Sequence, residues 1–266
     1  MTTPLLTQWP VDPQHNARLA LACLDLTSLN ASDTEADIAT LCQRAQSPFG
    51  PVAAVCVWPR LAGFARAHLP ASIAVAAVAN FPHGDADIDA AVRDTLQIVQ
   101  AGAQEVDVVL PYRSLVAGDE AAVMRLLTTV RQACPSLPLK VILETGELKS
   151  PTLIERACQL SLDSGADFLK TSTGKTPVSA SLEAARIMLA AIAASPAARQ
   201  RVGFKAAGGI RTVAEAAAYL ALTQELLGAQ ALTPQRFRIG ASSLLNDIEA
   251  VLSGAASPAT AITANY

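Results

Sequence analysis

The chain has 266 residues, 51 % hydrophobic and 16 % charged, enough apolar surface for a sizeable core and too little polarity for a disordered chain. A formal net charge of −3 with no run of Lys or Arg excludes the electrostatic footprint of a nucleic-acid binder. Five scattered cysteines and three isolated histidines offer neither a disulfide framework nor a metal-ligand spacing, and reduced thiols in a cytoplasmic protein are expected.

In chain order, the opening MTTPLLTQWPVDPQHN lacks a basic segment followed by an apolar one. No stretch approaches the roughly 18 uninterrupted apolar residues of a membrane span. Short apolar runs then alternate with longer segments of helical periodicity, the pattern of βαβ units on a parallel sheet. The strand candidates are 19–26, 53–58, 73–80, 105–110, 137–144, 166–171, 202–206 and 237–241. Ser32 and Glu35 read as a capping box opening a helix that runs to about Ala45. After the third strand, Ile88, Val92, Leu96 and Val99 fall on one helical face, and Gly102 stops that helix. Gly-Ala pairs recur at Gly102, Gly165 and Gly228, 63 residues apart, so that each interval holds two βα units. Eight such units in about 250 residues point to a closed (β/α)₈ TIM barrel rather than an open sheet. No linker divides the chain before Gly254, so the expected organisation is one barrel domain over 1–254 and a flexible C-terminal tail over 255–266.

A barrel of this kind carries its active site at the C-terminal ends of the strands, where charged residues embedded in apolar runs stand out. Such residues are Glu105, Asp107, Lys140, Glu144, Asp167, Lys170 and Lys205. Alternation along a strand lets Asp107, Lys170 and Lys205 point into one barrel mouth. A single strand-end lysine is ordinarily a buried stem with its ammonium in water. Two in one apolar mouth repel each other and resist desolvation, which pushes one of them toward the neutral amine. Lowering a lysine by roughly three units from about 10.4 requires about 4 kcal/mol, within reach of burial plus a like charge. The matching chemistry is Schiff-base formation with a carbonyl substrate. Asp107 then either relays protons or forms a structural ion pair with Lys140 or Lys205, while Lys140 and Glu144 can neutralise each other without a catalytic role.

Phosphate recognition is the second signal. Gly208-Gly209 follow the seventh strand and Gly240-Ala-Ser242-Ser243 follow the eighth, the positions where barrels bind phosphate on loop amides and a helix N-terminus. After the sixth strand, the run from Thr171 to Thr176 adds hydroxyls, Gly174 and the cation Lys175 at the same rim. It is not a Walker motif, because the required upstream glycine is absent.

Together the segments EVDVVLPYRSLVAGDE, LKVILETGEL, DFLKTSTGKTP, VGFKAAGGIRT and FRIGASSLL, with LDLTSLN and VANFPHG, resemble the class I 2-deoxy-D-ribose-5-phosphate aldolase family over nearly the whole chain. The resemblance implies a barrel enzyme of deoxyribose phosphate catabolism that cleaves 2-deoxyribose 5-phosphate to glyceraldehyde 3-phosphate and acetaldehyde without a metal or other cofactor. By matching position it implies Lys170 as the Schiff-base lysine, Lys205 as its acidifying partner and Asp107 as the proton-relay carboxylate. It likewise places Gly174, Lys175, Gly208, Gly209, Ser242 and Ser243 at the substrate phosphate, and Asp25 and Thr27 at the substrate hydroxyls. The likeness is greatest to members with a terminal tyrosine, which makes Tyr266 either a proton shuttle or merely a loose end. Ala206 stands where many relatives have Pro or Ser. The implied partners are a small sugar phosphate and an aldehyde, with no nucleic acid and no membrane; a homodimer is compatible with the sequence.

Three rivals share parts of this pattern. A fructose-bisphosphate-type or transaldolase-type barrel would keep the lysine but take a ketose donor. A catalytically silent sugar-phosphate sensor would keep the phosphate rim and trap nothing on Lys170. A phosphosugar isomerase would use an acid/base pair rather than two lysines. Cys56, on the second strand, is expected in the core.

Overall fold

The computed structural model describes residues 12–255, so Tyr266 and most of the expected tail lie outside the described residues. Eight strands close into a barrel: β1 (Leu24–Thr27), β2 (Ala54–Val57), β3 (Ala74–Ala79), β4 (Glu105–Val109), β5 (Leu139–Ile142), β6 (Phe168–Lys170), β7 (Gly203–Ala207) and β8 (Phe237–Ala241). All neighbours pair in parallel, and β1 closes the ring between β8 and β2. This is the expected (β/α)₈ barrel. The strands read as near-continuous apolar runs because parallel strands under helices are covered on both faces. An antiparallel two-residue ribbon, Gln46–Ser47 with Gly50–Pro51, lies between β1 and β2 in the chain.

Helix α1 (Pro13–Ala22) precedes the barrel, and α2 (Glu35–Arg44), α3 (Pro59–Ala67), α4 (Ile88–Gln100), α5 (Glu120–Ala133), α6 (Pro151–Asp163), α7 (Leu182–Ala194), α8 (Val213–Leu227) and α9 (Leu244–Ser253) follow the eight strands in turn. Gly102, Gly165 and Gly228 all have positive φ, just after α4, α6 and α8. The 63-residue spacing therefore marks positive-φ glycines at the ends of helices in alternate βα units, Gly102 and Gly165 one residue past the cap and Gly228 at the cap itself.

Three local expectations are corrected. The first strand candidate, 19–26, is divided: its first four residues belong to α1, which Asp12 caps by accepting from the Gln14 amide, with Pro13 in the first turn. An apolar run of that length has no periodicity of its own that separates strand from buried helix. Helix α2 is capped by Thr34 paired with Asp37, not by Ser32 with Glu35; Ser32 is exposed, one turn element too early. On α4 the buried face is Ala91, Thr95 and Ile98, while Leu96 is 42 % and Val99 39 % exposed. Of the stripe expected from Ile88, Val92, Leu96 and Val99, Ile88 packs against the core and Val92 is half-buried, while Leu96 and Val99 face outward; Thr95 is accommodated on the buried face by donating its hydroxyl to the Ala91 carbonyl. The five cysteines are all buried free thiols. Cys56 is in the core as expected, in an apolar cluster with Leu29, Ala76 and Val78.

Candidate active site

Strand alternation and register bring seven charged side chains into the barrel interior. Asp107 is paired in register with Lys140, Lys170 with Lys205, and Lys205 with Arg238. β1 adds Asp25, and β4 adds Glu105 two residues before Asp107. Barrel interiors are ordinarily filled by branched apolar side chains. Here they hold an ion network. Lys140 donates to Glu105 Oε2 at 2.6 Å and Asp107 Oδ1 at 2.8 Å. Lys170 and Lys205 each donate to Asp107 Oδ2 at 2.8 Å, and Lys205 also donates to Asp25 Oδ2. Arg238 closes the lower end, donating to Asp25 Oδ1 at 2.6 Å and to Glu105 Oε1 at 2.6 Å. Every member is buried, so each charge depends on its partners rather than on water.

The electrostatics follow from this arrangement. Burial works to raise the Asp107 carboxyl, but the ammonium groups of Lys140, Lys170 and Lys205 outweigh it and hold Asp107 well below the usual carboxylate range. Burial likewise opposes the charge on Lys205, and Asp107 and Asp25 overcome it, raising Lys205 above the usual lysine value. Lys140 is raised in the same way by Asp107 and Glu105. Asp25, against burial, is lowered by Arg238 and Lys205. The repulsion between lysines expected from sequence is thus offset by three carboxylates for the two inner lysines. Lys140 and Lys205 each have two carboxylates; Lys170 has only one oxygen, which it shares.

Above the network lies a cleft of about 320 Å³. Lys170, Thr27, Gly174, Lys175, Gly208, Gly209, Ser242 and Ser243 all line it. The rim is built as a phosphate cradle would be: Gly208 and Gly209 both have positive φ, and α9 starts here with Ser243 as its cap residue. The Ser243 hydroxyl makes no capping bond, leaving the first amides of α9 without that side-chain partner. Gly208 has no room for a side chain, since a Cβ there would lie 2.6 Å from Ser179 Cβ.

Asp25, Asp107 and Lys205 do not line the cleft; they lie beneath Lys170, fully buried. Thr27, which does line it, donates to the Asp25 backbone carbonyl. Glu144 and Lys140 do not pair with each other. Glu144, at the end of β5, accepts instead from the Thr173 amide and the hydroxyls of Thr173 and Thr176. Burial raises its carboxyl above the usual range against those bonds. Sequence reasoning noted Glu105 as a charged strand residue but gave it no role, and missed Arg238 in the network and Asn30 and Arg211 on the cleft wall. The available signal for the first two was a charged residue inside an otherwise apolar strand, EVDVV and FRIGA. Histidines 15, 68 and 83 are all exposed, and no helix among the described residues is long and apolar enough to cross a membrane.

Comparison with known proteins bears on the whole barrel. The family described as DeoC/LacD family aldolase matches residues 19–250. A deoxyribose-phosphate aldolase of Agrobacterium fabrum (strain C58 / ATCC 33970) is 49 % identical over 245 residues, covering 91 % of this chain and 93 % of that protein. A crystal structure from Coccidioides immitis, provisionally named a deoxyribose-phosphate aldolase, superposes with a TM-score of 0.76 at 31 % identity over 88 % of this chain and 86 % of its own. One from Toxoplasma gondii ME49, named in the same provisional way, gives a TM-score of 0.84 at 25 % identity over 92 % and 96 %.

Proposed function

The chain belongs to the DeoC/LacD family of aldolases, and from that premise we propose that it reversibly cleaves 2-deoxy-D-ribose 5-phosphate to D-glyceraldehyde 3-phosphate and acetaldehyde through an imine on Lys170. The observation that carries this reading is the position of Lys170 at the floor of the cleft. It is the one lysine of the network that lines the cleft, and it has the least carboxylate support. The deoxyribose-phosphate aldolase that is 49 % identical to this chain supports the substrate.

In the cleavage direction the Lys170 amine attacks C1 of the open-chain sugar, and the resulting carbinolamine loses water to give a protonated imine. Lys205, held as a cation by two carboxylates, supplies a fixed positive charge and a proton donor beside that step. Removal of the C3 hydroxyl proton, relayed through water to Asp107, lets the C2–C3 bond break, and its electron pair passes into the imine to leave an enamine. Glyceraldehyde 3-phosphate departs, the enamine is protonated at C2, and hydrolysis releases acetaldehyde and the free lysine. Gly208, Gly209, Ser242, Ser243, Gly174 and Lys175 hold the phosphate and so fix the reacting carbons over Lys170. Thr27, on the cleft wall, is the contact for a substrate hydroxyl, and Asp25 acts on it only from below, through its hold on Lys205. The reaction belongs to the breakdown of deoxyribose phosphates.

The test is intact mass after incubation with acetaldehyde and borohydride. One two-carbon adduct that maps to Lys170 and is absent from Lys170→Ala is the expected result. No adduct on folded wild-type protein, or an adduct on Lys205, overturns the imine assignment.

A further inference from the structure

Behind the cleft, one residue that lines no part of it holds the segment following β6. Glu144 is fully buried at the end of β5 and has φ +55, a left-handed backbone that non-glycine residues rarely adopt. Its carboxylate collects three donors: the Thr173 amide at 3.3 Å, the Thr173 hydroxyl at 2.5 Å and the Thr176 hydroxyl at 3.2 Å. While donating to Glu144, the Thr173 hydroxyl accepts from the Lys175 amide at 3.0 Å. A continuous run of bonds therefore leads from Glu144 through Thr173 to Lys175, the cation on the cleft rim.

Packing confines the same segment on both sides. A Cβ on Gly146, two residues after Glu144, would lie 2.1 Å from the Val178 carbonyl oxygen. From the other side, a Cβ on Gly208 would lie 3.1 Å from Gly174 Cα. The backbone of residues 173–179 thus rests against the ends of β5 and β7 with no room for a side chain at either contact. Lys170 is fixed by a different partner, Asp107, inside the barrel. The reacting amine and the rim cation therefore sit on one strand-loop unit but depend on separate anchors.

We propose that Glu144 is a positioning residue that sets the preference for phosphorylated over unphosphorylated substrate, by ordering residues 173–176 before the phosphate arrives. The proposal rests on reading the cleft rim as the phosphate site. A segment containing a glycine and several hydroxyls loses conformational freedom when it closes on a ligand, and an anchor already in place removes that cost from binding. The anchor has to be a carboxylate, since three donors converge on two acceptor oxygens, and an amide would offer only one acceptor and a competing donor.

The experiment measures kcat and KM for 2-deoxyribose 5-phosphate and for 2-deoxyribose, in wild type, Glu144→Gln, Thr176→Val and Thr176→Ser, with borohydride trapping of acetaldehyde on Lys170 alongside. Glu144→Gln is expected to raise KM for the phosphorylated sugar about tenfold or more, with kcat within about threefold, and to leave kcat/KM for the unphosphorylated sugar and the trapping rate within about twofold of wild type. Thr176→Val, at a Glu144 donor that lines no part of the cleft, should shift the ratio in the same direction and Thr176→Ser should restore it, which decides the matter if Glu144→Gln does not fold. Equal losses on both sugars, or an unchanged ratio between them, overturn the proposal. A wild type that does not distinguish the two sugars overturns instead the phosphate reading of the cleft on which it rests.

Discussion

Lys170 and Lys205 face each other in register on neighbouring strands, and both ammonium groups donate to a single oxygen, Asp107 Oδ2, at 2.8 Å. That shared acceptor couples the cleft floor to the ion network beneath it. Lys205 has a second carboxylate, Asp25, whereas Lys170 has none, so loss of the Asp107 carboxylate would leave Lys170 without an anionic partner while Lys205 kept one. Under the proposed mechanism the interior charges serve both structure and function, and their variants have to be measured on both scales.

Replacing Lys205 by Met keeps most of the stem volume but leaves Asp25 and Asp107 short of a cation. Lys205→Met is expected to lower kcat/KM by about 10²–10⁴, the range for a lost proton-transfer group. It should also lower unfolding stability by about 3–5 kcal/mol, as when one partner of a buried ion pair is removed. Steady-state kinetics and urea titration read the two effects; full activity in a destabilised protein would reduce Lys205 to a structural ion.

Arg238 and Glu105 lie below the cleft and touch no residue on its wall except through Asp25, Lys140 and Lys205. Each single variant, Arg238→Met or Glu105→Gln, leaves the other one partner short: Glu105 keeps Lys140 and Arg238 keeps Asp25. The double variant removes both and should be more stable than the sum of the singles by about 0.5–3 kcal/mol. Additive losses in a denaturant-based double-mutant cycle would show that the two side chains do not act as a pair.

The carboxyls of Asp25, Glu105 and Asp107 are lowered in the folded protein, each by neighbouring cations acting against burial. Their contribution to stability is present above the unfolded values of about 4 and is lost as pH falls through the lower folded values. Lys140 and Lys205 are raised, so their contribution is present below about 10.4 and is lost only as pH rises beyond that. Unfolding free energy should therefore be level from about pH 5 to 8, fall steeply below about pH 4, and decline again above about pH 8, where the five thiols raised by burial ionise only in the unfolded chain. Urea titrations across that range check the shape; a maximum confined to acid pH would contradict the ion network as a source of stability.

Two neighbouring residues of α4 separate the observed helix face from the one the spacing suggests. Ile98 is buried and Val99 is 39 % exposed. Ile98→Ala should cost about 2–5 kcal/mol and Val99→Ala no more than about 0.5 kcal/mol. Reversed magnitudes in thermal or urea unfolding would restore the outward face as the core face.

Much of this protein was legible along the chain. Local periodicity reports strand and helix directly, so the eight βα units and the barrel could be read from apolar runs and from glycines placed every second unit. A charged residue inside an apolar strand is conspicuous for the same reason, which brought Lys170, Lys205 and Asp107 together on a page before they met in space. Periodicity failed where it carried two meanings: at residues 19–22, where an apolar run is as good a helix as a strand, and on α4, where the buried face runs through Ala91, Thr95 and Ile98 and leaves Leu96 and Val99 outside. The partners of each charge were decided only by closure of the ring. Register sets Lys205 against Lys170 on one side and Arg238 on the other, and closure through β1 brings Asp25 to both Lys205 and Arg238, contacts that span 180 and 213 residues of chain. Glu144 likewise reads as a partner for Lys140 in sequence, yet a left-handed turn at the end of β5 directs it to Thr173. Residue type and spacing determine which groups enter the interior, because they act within one strand; which charge neutralises which depends on distances across the barrel, and those exist only once the eight strands have closed.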